Sequence, residues 1–381
     1  MKHIPGLGLS LFALVSLVAC GDTSTPSTST TGASSSAGST GGTGGAGTTT
    51  GVGEGGGTTG AGGASTTGSG GGATTSTSTS TTSSGTGGAG ELPDPNLEGP
   101  YTFKEIDDST MVAATGHNVP IHCAYPTAGP SNGPYPVVLV SHGFQLPPTQ
   151  YLGYVQRLAS FGYVVVSMDF PAPFFGEKHT ENAKDVIAGL DWAKNKAELA
   201  GKADVSNAGA TGHSLGGKVS LLVATMEPRI KASITLDPVD TSMNCAPADC
   251  PDVSALMPNL HIPTGFVGET IDAAGGFQPC APAADNFTTF YAGANSPSLQ
   301  VTVKGANHMS FLDNVATCGF TCSFCNMATA PNAQVNDLSK AYVVAFYERH
   351  LRGIVGYDTY LTGAEAQARY VATGQVTIVS K

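Results

Sequence analysis

Three residue types along this 381-residue chain could together do nucleophilic chemistry: a serine, an acid and a histidine, each just past an apolar run. The serine stands in Asn207-Ala-Gly-Ala-Thr-Gly-His-Ser-Leu-Gly-Gly-Lys218, with Gly212 and Gly216 on either side of Ser214. The apolar run before it and the helical pattern from Val219 to Met226 after it read as strand, sharp turn and helix. Such a turn strains the central residue, so its flanking positions must lack a Cβ, and the hydroxyl stands clear of the sheet. The unpaired N–H groups that open the helix face the same spot and favour a developing oxyanion there. Ser214 is the candidate nucleophile.

A serine hydroxyl needs a base, and the base needs an orienting partner. Lys231 to Leu236 reads as a strand delivering Asp237-Pro238-Val239-Asp240, and Thr264 to Gly268 as another delivering Glu269 and Asp272. Leu299 to Val303 runs into Lys304-Gly-Ala-Asn-His308. Among nine histidines, His308 combines a loop after a strand with a position beyond both acids, so it is the expected base. Asp237 is the expected acid, because Pro238 ends ladder bonding there and pins the carboxylate at the sheet edge. Asp272 or Glu269 after the seventh strand is the alternative acid, although the glycine-bearing turn of Asp272 predicts a solvated carboxylate; Asp240 is expected to serve as a cap or a loop anchor. His142-Gly143-Phe144 follows the aliphatic run Pro136 to Ser141. There the Phe144 N–H is expected to complete an oxyanion hole with the Leu215 N–H, while His142 is expected to bond neighbouring loops rather than act as base.

The elements that must hold these residues alternate. Pro136 to Ser141 and Tyr163 to Met168 are continuous apolar runs of the kind buried on both faces of a sheet. Tyr101 to Ile106 and Val119 to Tyr125 read as an antiparallel entry pair. Helical spacing marks Gln150 to Phe161, Glu181 to Lys196 and Asn336 to Leu351. The pattern predicts an α/β class, with a mostly parallel sheet, helices on both faces and ligands at the carboxyl ends of the strands. Asp169-Phe-Pro-Ala-Pro-Phe-Phe175 leaves that same edge, either lining a pocket or packing as a structural loop. The tail from Val355 yields no assignment.

The first ninety residues are of another kind. A cationic start, an apolar stretch from Ile4 to Ala19 and Leu17-Val18-Ala19-Cys20 read as a signal peptide, residues 1–19. Its ending resembles a bacterial lipobox, which implies cleavage before Cys20, lipidation of that thiol and attachment to a membrane. Gly21, rather than Asp, points to the outer membrane or cell surface. From Thr23 to Gly90 the chain is nearly all Ser, Thr, Gly and Ala, so residues 20–90 are expected to be a disordered linker without a core. The square-root rule for such chains gives a reach of about 45 Å. Residues 91–381 are then one catalytic domain, expected to be monomeric.

The formal net charge is -11 and no basic cluster appears, which argues against a nucleic-acid partner. With Cys20 given to lipid, seven of eight cysteines remain, an odd number. Cys123, in an early strand, is the expected free buried thiol. Cys245, Cys250, Cys280, Cys318, Cys322 and Cys325 lie in loops and are expected to form three bridges whose connectivity the sequence leaves open. The run Cys318-Gly-Phe-Thr-Cys322-Ser-Phe-Cys325 has the spacing of an iron–sulfur ligand set, and zinc is conceivable. Its late place in an exported chain argues for disulfides instead, and no metal or cofactor is expected.

Pro134-Tyr-Pro-Val-Val-Leu-Val-Ser-His-Gly-Phe144, Arg157-Leu-Ala-Ser-Phe-Gly-Tyr163, Gly212-His-Ser-Leu-Gly-Gly217, Leu236-Asp-Pro-Val-Asp240 and Gly305-Ala-Asn-His308 together resemble the chlorophyllase, platelet-activating-factor acetylhydrolase and bacterial cutinase branch of the α/β-hydrolases, from about Tyr101 to Arg352. The resemblance implies hydrolysis of a carboxylic ester, small-molecule, lipid or polymer, through an acyl-enzyme. It places the acid after the sixth strand, where Asp237 stands; across α/β-hydrolases the position after the seventh, that of Asp272, is commoner. Leu215 departs from it, since chlorophyllases carry Arg there, and so do the cysteine-rich insertions. A fold alone does not make an enzyme, so a catalytically silent surface lipoprotein that uses the scaffold for binding is the alternative.

Overall fold

The computed structural model describes residues 92–240, 245–273 and 280–381. The expectations for the signal peptide, for Cys20 and for the linker to Gly90 fall outside those residues. Among the described residues the strands are β1 (Thr102–Val112), β2 (His117–Ala128), β3 (Tyr135–Ser141), β4 (Val164–Met168), β5 (Ala203–Gly212), β6 (Ile230–Leu236), β7 (Thr264–Glu269), β8 (Ser298–Val303) and β9 (Val376–Ser380). The main helices are α1 (Leu152–Ser160), α2 (His179–Asn195), α3 (Leu215–Met226), α4 (Phe287–Gly293) and α5 (Asn332–His350).

The strands form one sheet in the order β1-β2-β4-β3-β5-β6-β7-β8-β9. β4, β3, β5, β6, β7 and β8 run parallel, while β1, β2 and β9 pair antiparallel at the two sides. This is the α/β-hydrolase fold that the resemblance implied.

The aliphatic runs explain the layering. Every residue of β3 and of β4 is buried. Val138, Val140 and Val165 pack into the layer that holds Leu158 of α1 and Val344 of α5. Val137, Leu139 and Val166 point the other way, toward Val186 and Leu190 of α2 and Val219 of α3. Each such side chain contributes about 1.5–3 kcal/mol by leaving water, which is why the runs do not alternate with polar residues.

Two elements escaped sequence reading. α4 starts on an Asn286 side chain that accepts from the Thr288 N–H; Phe287, Phe290 and Tyr291 have helical spacing, but the helix is only seven residues long, too short for a periodicity to stand out. β9 lies in the unassigned tail and pairs along β8 from Leu299↔Ser380 to Val303↔Val376. Val376 of that strand is buried and Ile378 packs against the core, so the β-branched run Val376-Thr-Ile-Val379 was a legible strand signal that the sequence reading passed over.

Candidate active site

The serine turn has the strain expected of it. Ser214 sits at φ 58°, ψ −123°, between the end of β5 and the first turn of α3. A Cβ on Gly212 would run into the Gly216 carbonyl, and one on Gly216 into the carbonyls of Ser141 and His142, so both positions exclude any side chain. The turn is tied to β6 on both strands of its bend: the Ser214 N–H donates to the Leu236 carbonyl at 3.0 Å, and the Val239 N–H to the Ser214 carbonyl at 3.3 Å. Those two bonds bracket Asp237, itself held at a left-handed φ of 42° with its N–H on the Val267 carbonyl at 2.7 Å.

The three separated residues meet. His308 Nε2 lies 2.8 Å from Ser214 Oγ, and His308 Nδ1 lies 2.6 Å from Asp237 Oδ2. A carboxylate only accepts, so Nδ1 carries the proton and Nε2 is left to accept from the serine hydroxyl. Asp237 is fully buried, and burial pushes its carboxyl above the usual range while the His308 hydrogen bond pulls it back.

Asp272 has a place that the sequence reading missed. Far from being a solvated carboxylate in a glycine turn, it is fully buried and clamps backbone. Its Oδ2 accepts the His308 N–H at 2.9 Å and its Oδ1 the Asn326 N–H at 2.8 Å. The acid after β7 thus touches the main chain of His308 and not its ring. The local turn looked open because the chain that covers it comes from beyond β8, which no local pattern reveals. Glu269, the last residue of β7, is also buried and accepts from the N–H groups of Ile271 and Asp272.

His213, unlike the acids, is a residue that the sequence did not single out. Its Nε2 faces the His308 carbonyl at 2.8 Å, so Nε2 is the protonated nitrogen; its Nδ1 then accepts from the Tyr151 hydroxyl at 2.9 Å. That hydroxyl in turn accepts the Gly143 N–H at 3.1 Å. One neutral imidazole therefore links the serine turn, the base loop and the turn after β3. Burial, followed by the neighbouring His308, holds its pKa well below the ordinary histidine value, as this pattern requires. The signal was available only as the variable residue inside the Gly212 to Gly216 turn.

After β3, Gly143 and Phe144 form the expected turn, and Gln145 takes a positive φ of 55°. Among the described residues no backbone partner outside the helices and strands is found for the Phe144 or the Leu215 N–H, and Leu215 opens α3 directly after the serine. His142 fits its expected loop role: it stacks on Phe170 at 4.1 Å, with Nδ1 2.9 Å from the Gly143 carbonyl and Nε2 3.1 Å from that of Phe170. The aromatic loop after β4 takes part in the surface here. Asp169, Phe170, Pro171 and Ala172 border a cleft of about 440 Å³ with Gln145 and Leu146. Phe174 and Phe175, farther along the same loop, stand 58% and 78% exposed, and the Phe174 ring lies 6.2 Å from that of Phe144. A smaller cleft of about 210 Å³, between Val303, Gln334 and Thr373, contains none of these groups.

The lysine that follows the turn is buried against Asp240. Lys218 Nζ reaches Asp240 Oδ1 at 2.8 Å, and the two Asp240 oxygens accept the Val253 and Ser254 N–H groups at 3.2 and 2.7 Å. Asp240 thus anchors the loop that leaves Asp237. The cysteines pair as Cys245–Cys250, Cys280–Cys325 and Cys318–Cys322, and Cys123 is free and buried. The iron–sulfur spacing is thereby accounted for, since all three of its thiols are in disulfides.

A protein-family model for chlorophyllase matches residues 97–366, well over half of the chain. The bis(hydroxyethyl) terephthalate hydrolase of Streptomyces coelicolor is 27% identical over 58% of this chain and 64% of its own length. Chlorophyllase-1 of Arabidopsis thaliana is 29% identical over 61% of this chain and 76% of its own, and cutinase 1 of Thermobifida cellulosilytica 25% identical over 56% and 73%. The chain therefore spans just under two thirds of the first of these relatives and about three quarters of the other two. The ordered strands, the serine turn at the end of β5 and the extent of the family match lead to one assignment: the chain belongs to the chlorophyllase family of α/β-hydrolases.

Proposed function

We propose that the protein is a serine esterase that cleaves carboxylic esters through an acyl-enzyme. Ser214 attacks the ester carbonyl as His308 Nε2 takes its proton, and Asp237 keeps the imidazole in the tautomer that makes this possible. The Phe144 and Leu215 N–H groups receive the oxyanion of each tetrahedral intermediate. His308 returns the proton to the departing alcohol, and water, activated by the same nitrogen, releases the acid. The observation that carries this reading is the unbroken line from Ser214 Oγ through His308 to Asp237, with contacts of 2.8 and 2.6 Å. The names of the relatives agree with it: a terephthalate ester hydrolase, chlorophyllases and cutinases.

A fluorophosphonate probe tests it. Wild type should label and Ser214→Ala should not; a wild type that labels no better than the variant overturns the proposal. Short acyl chains are the expected substrates, because no long insertion resembling a lipase lid follows the sixth strand. Nitrophenyl esters of graded chain length measure this, and higher kcat/KM for long chains would refute it. The sequence also leads us to propose export and lipid attachment at Cys20, with the Ser/Thr/Gly tract as a tether. Cys20→Ala should leave the membrane fraction with its esterase activity intact.

A further inference from the structure

Three carboxyl groups gather at the carboxyl ends of β6 and β7. Asp237, Glu269 and Asp272 are all buried. Among the described residues, Asp237 has no ion-pair partner except His308, and no lysine or arginine is paired with Glu269 or Asp272. Asp272 spends both oxygens on backbone N–H groups. Asp237 gives Oδ2 to His308, and Glu269 gives Oε2 to the N–H groups of Ile271 and Asp272. Among the described residues, two enclosed oxygens are left with no partner, Asp237 Oδ1 and Glu269 Oε1.

A buried carboxylate oxygen without a donor is costly, and two of them on like charges are costlier. The parallel pairing brings their carriers to adjoining strand ends, since Leu236 lies opposite Val267 and the Asp237 N–H bonds the Val267 carbonyl. A single proton removes both defects. We propose that Glu269 is a positioning residue, held as a neutral carboxylic acid whose Oε1–H donates to Asp237 Oδ1, so that Asp237 keeps its charge and its aim at His308. This rests on the reading of Asp237 as the acid of the serine esterase.

The electrostatics agree. Burial first, then the charges of Asp237 and Asp272 against the pull of its two backbone hydrogen bonds, push the Glu269 carboxyl up to about 8. The titrating groups that face it are Asp237 from the end of β6, Asp272 from its own turn and, beyond Asp237, His308 from the loop after β8. The sign follows. Below that value the proton is present and the acid is aimed; above it a new negative charge repels Asp237 and strips its Oδ1 of its donor, so kcat falls.

Two measurements on the full chain test this. In infrared difference spectra, wild type should show a protonated-carboxyl C=O band that disappears as pH rises through about 8, and Glu269→Gln should lack it. This readout needs no turnover, so it stands even if the esterase reading fails; that failure would appear separately, as a wild type that cleaves no ester. In kcat against pH, wild type should decline through the same range. Glu269→Gln, whose amide donates at every pH, should lose that decline, whereas Glu269→Leu should run roughly tenfold or more below Glu269→Gln, the scale of one hydrogen bond to a charged group. A wild type without the band, or a Glu269→Gln that keeps both the band and the alkaline decline, overturns the proposal. If Glu269→Leu does not fold, the band and the Gln profile decide alone.

Discussion

Replacing Asp237 and Asp272 one at a time by asparagine separates two acids that touch different parts of the same histidine, one its ring and one its backbone N–H. Asp237→Asn puts an amide where Oδ2 now accepts the His308 Nδ1 proton at 2.6 Å. The ring then turns its proton to Nε2, where the Ser214 hydroxyl needs an acceptor, and the loss is that of a neutralised triad acid, about 10⁴ in kcat. That corresponds to about 5 kcal/mol of transition-state stabilisation at 1.36 kcal/mol per decade. Asp272→Asn does something else. It keeps one oxygen for either the His308 or the Asn326 N–H and turns an NH2 group on the other, so it breaks one charge-assisted hydrogen bond. Such a bond is worth about 1.5–3 kcal/mol. If all of it fell on positioning the base, kcat would drop by roughly 10 to 150-fold, and any part that falls on folding appears in Tm instead. The assay is steady-state hydrolysis of nitrophenyl acetate, with active sites counted by fluorophosphonate titration so that unfolded protein does not mimic lost chemistry. An Asp272→Asn loss equal to or above that of Asp237→Asn would refute the reasoning and move the acid to the end of β7.

Other outcomes follow from the same contacts. His213→Phe removes the donor to the His308 carbonyl and leaves the buried Tyr151 hydroxyl without its acceptor, at about 1–3 kcal/mol. Its kcat should fall more than that of Tyr151→Phe with KM little changed, and the double variant should cost less than the sum; strict additivity would mean that the two do not act as one chain. Cys280–Cys325 closes a separation of 45 residues beside Asn326, so replacing the pair by serine should lower stability by about 4 kcal/mol on the loop-entropy account and Tm by about 10 °C. An unchanged Tm would make that bridge structurally idle. The Cys123 thiol is pushed up to about 12 by burial, so iodoacetamide at pH 8 should alkylate it only after denaturation. Labelling of the native protein would show that β2 opens.

What the sequence made readable was whatever depends on neighbours in the chain. β3 and β4 announce themselves because strands buried on both faces must be apolar throughout. The serine turn announces itself because its φ and its crowding exclude side chains at Gly212 and Gly216, a constraint written within five residues. Asp237 and His308 could be ranked for a similar reason: a proline or a glycine loop marks where each strand stops. The roles of Asp272, Glu269 and His213 depend instead on what arrives from elsewhere. Asp272 looked solvated until the segments around His308 and Asn326, more than thirty residues on, closed over it. His213 looked like filler in a motif until its two nitrogens met a tyrosine from before α1 and a carbonyl from after β8. The division has a physical origin. A nucleophile must be strained and a strand must be dry, and both demands leave local traces in residue type. Holding a base and an oxyanion turn in register demands only that a polar atom find its partner across the fold, and almost any histidine or aspartate can meet it. A carboxylate whose job is to grip backbone is therefore indistinguishable, by type and spacing, from one whose job is to orient a ring, and only the atom that it touches tells them apart.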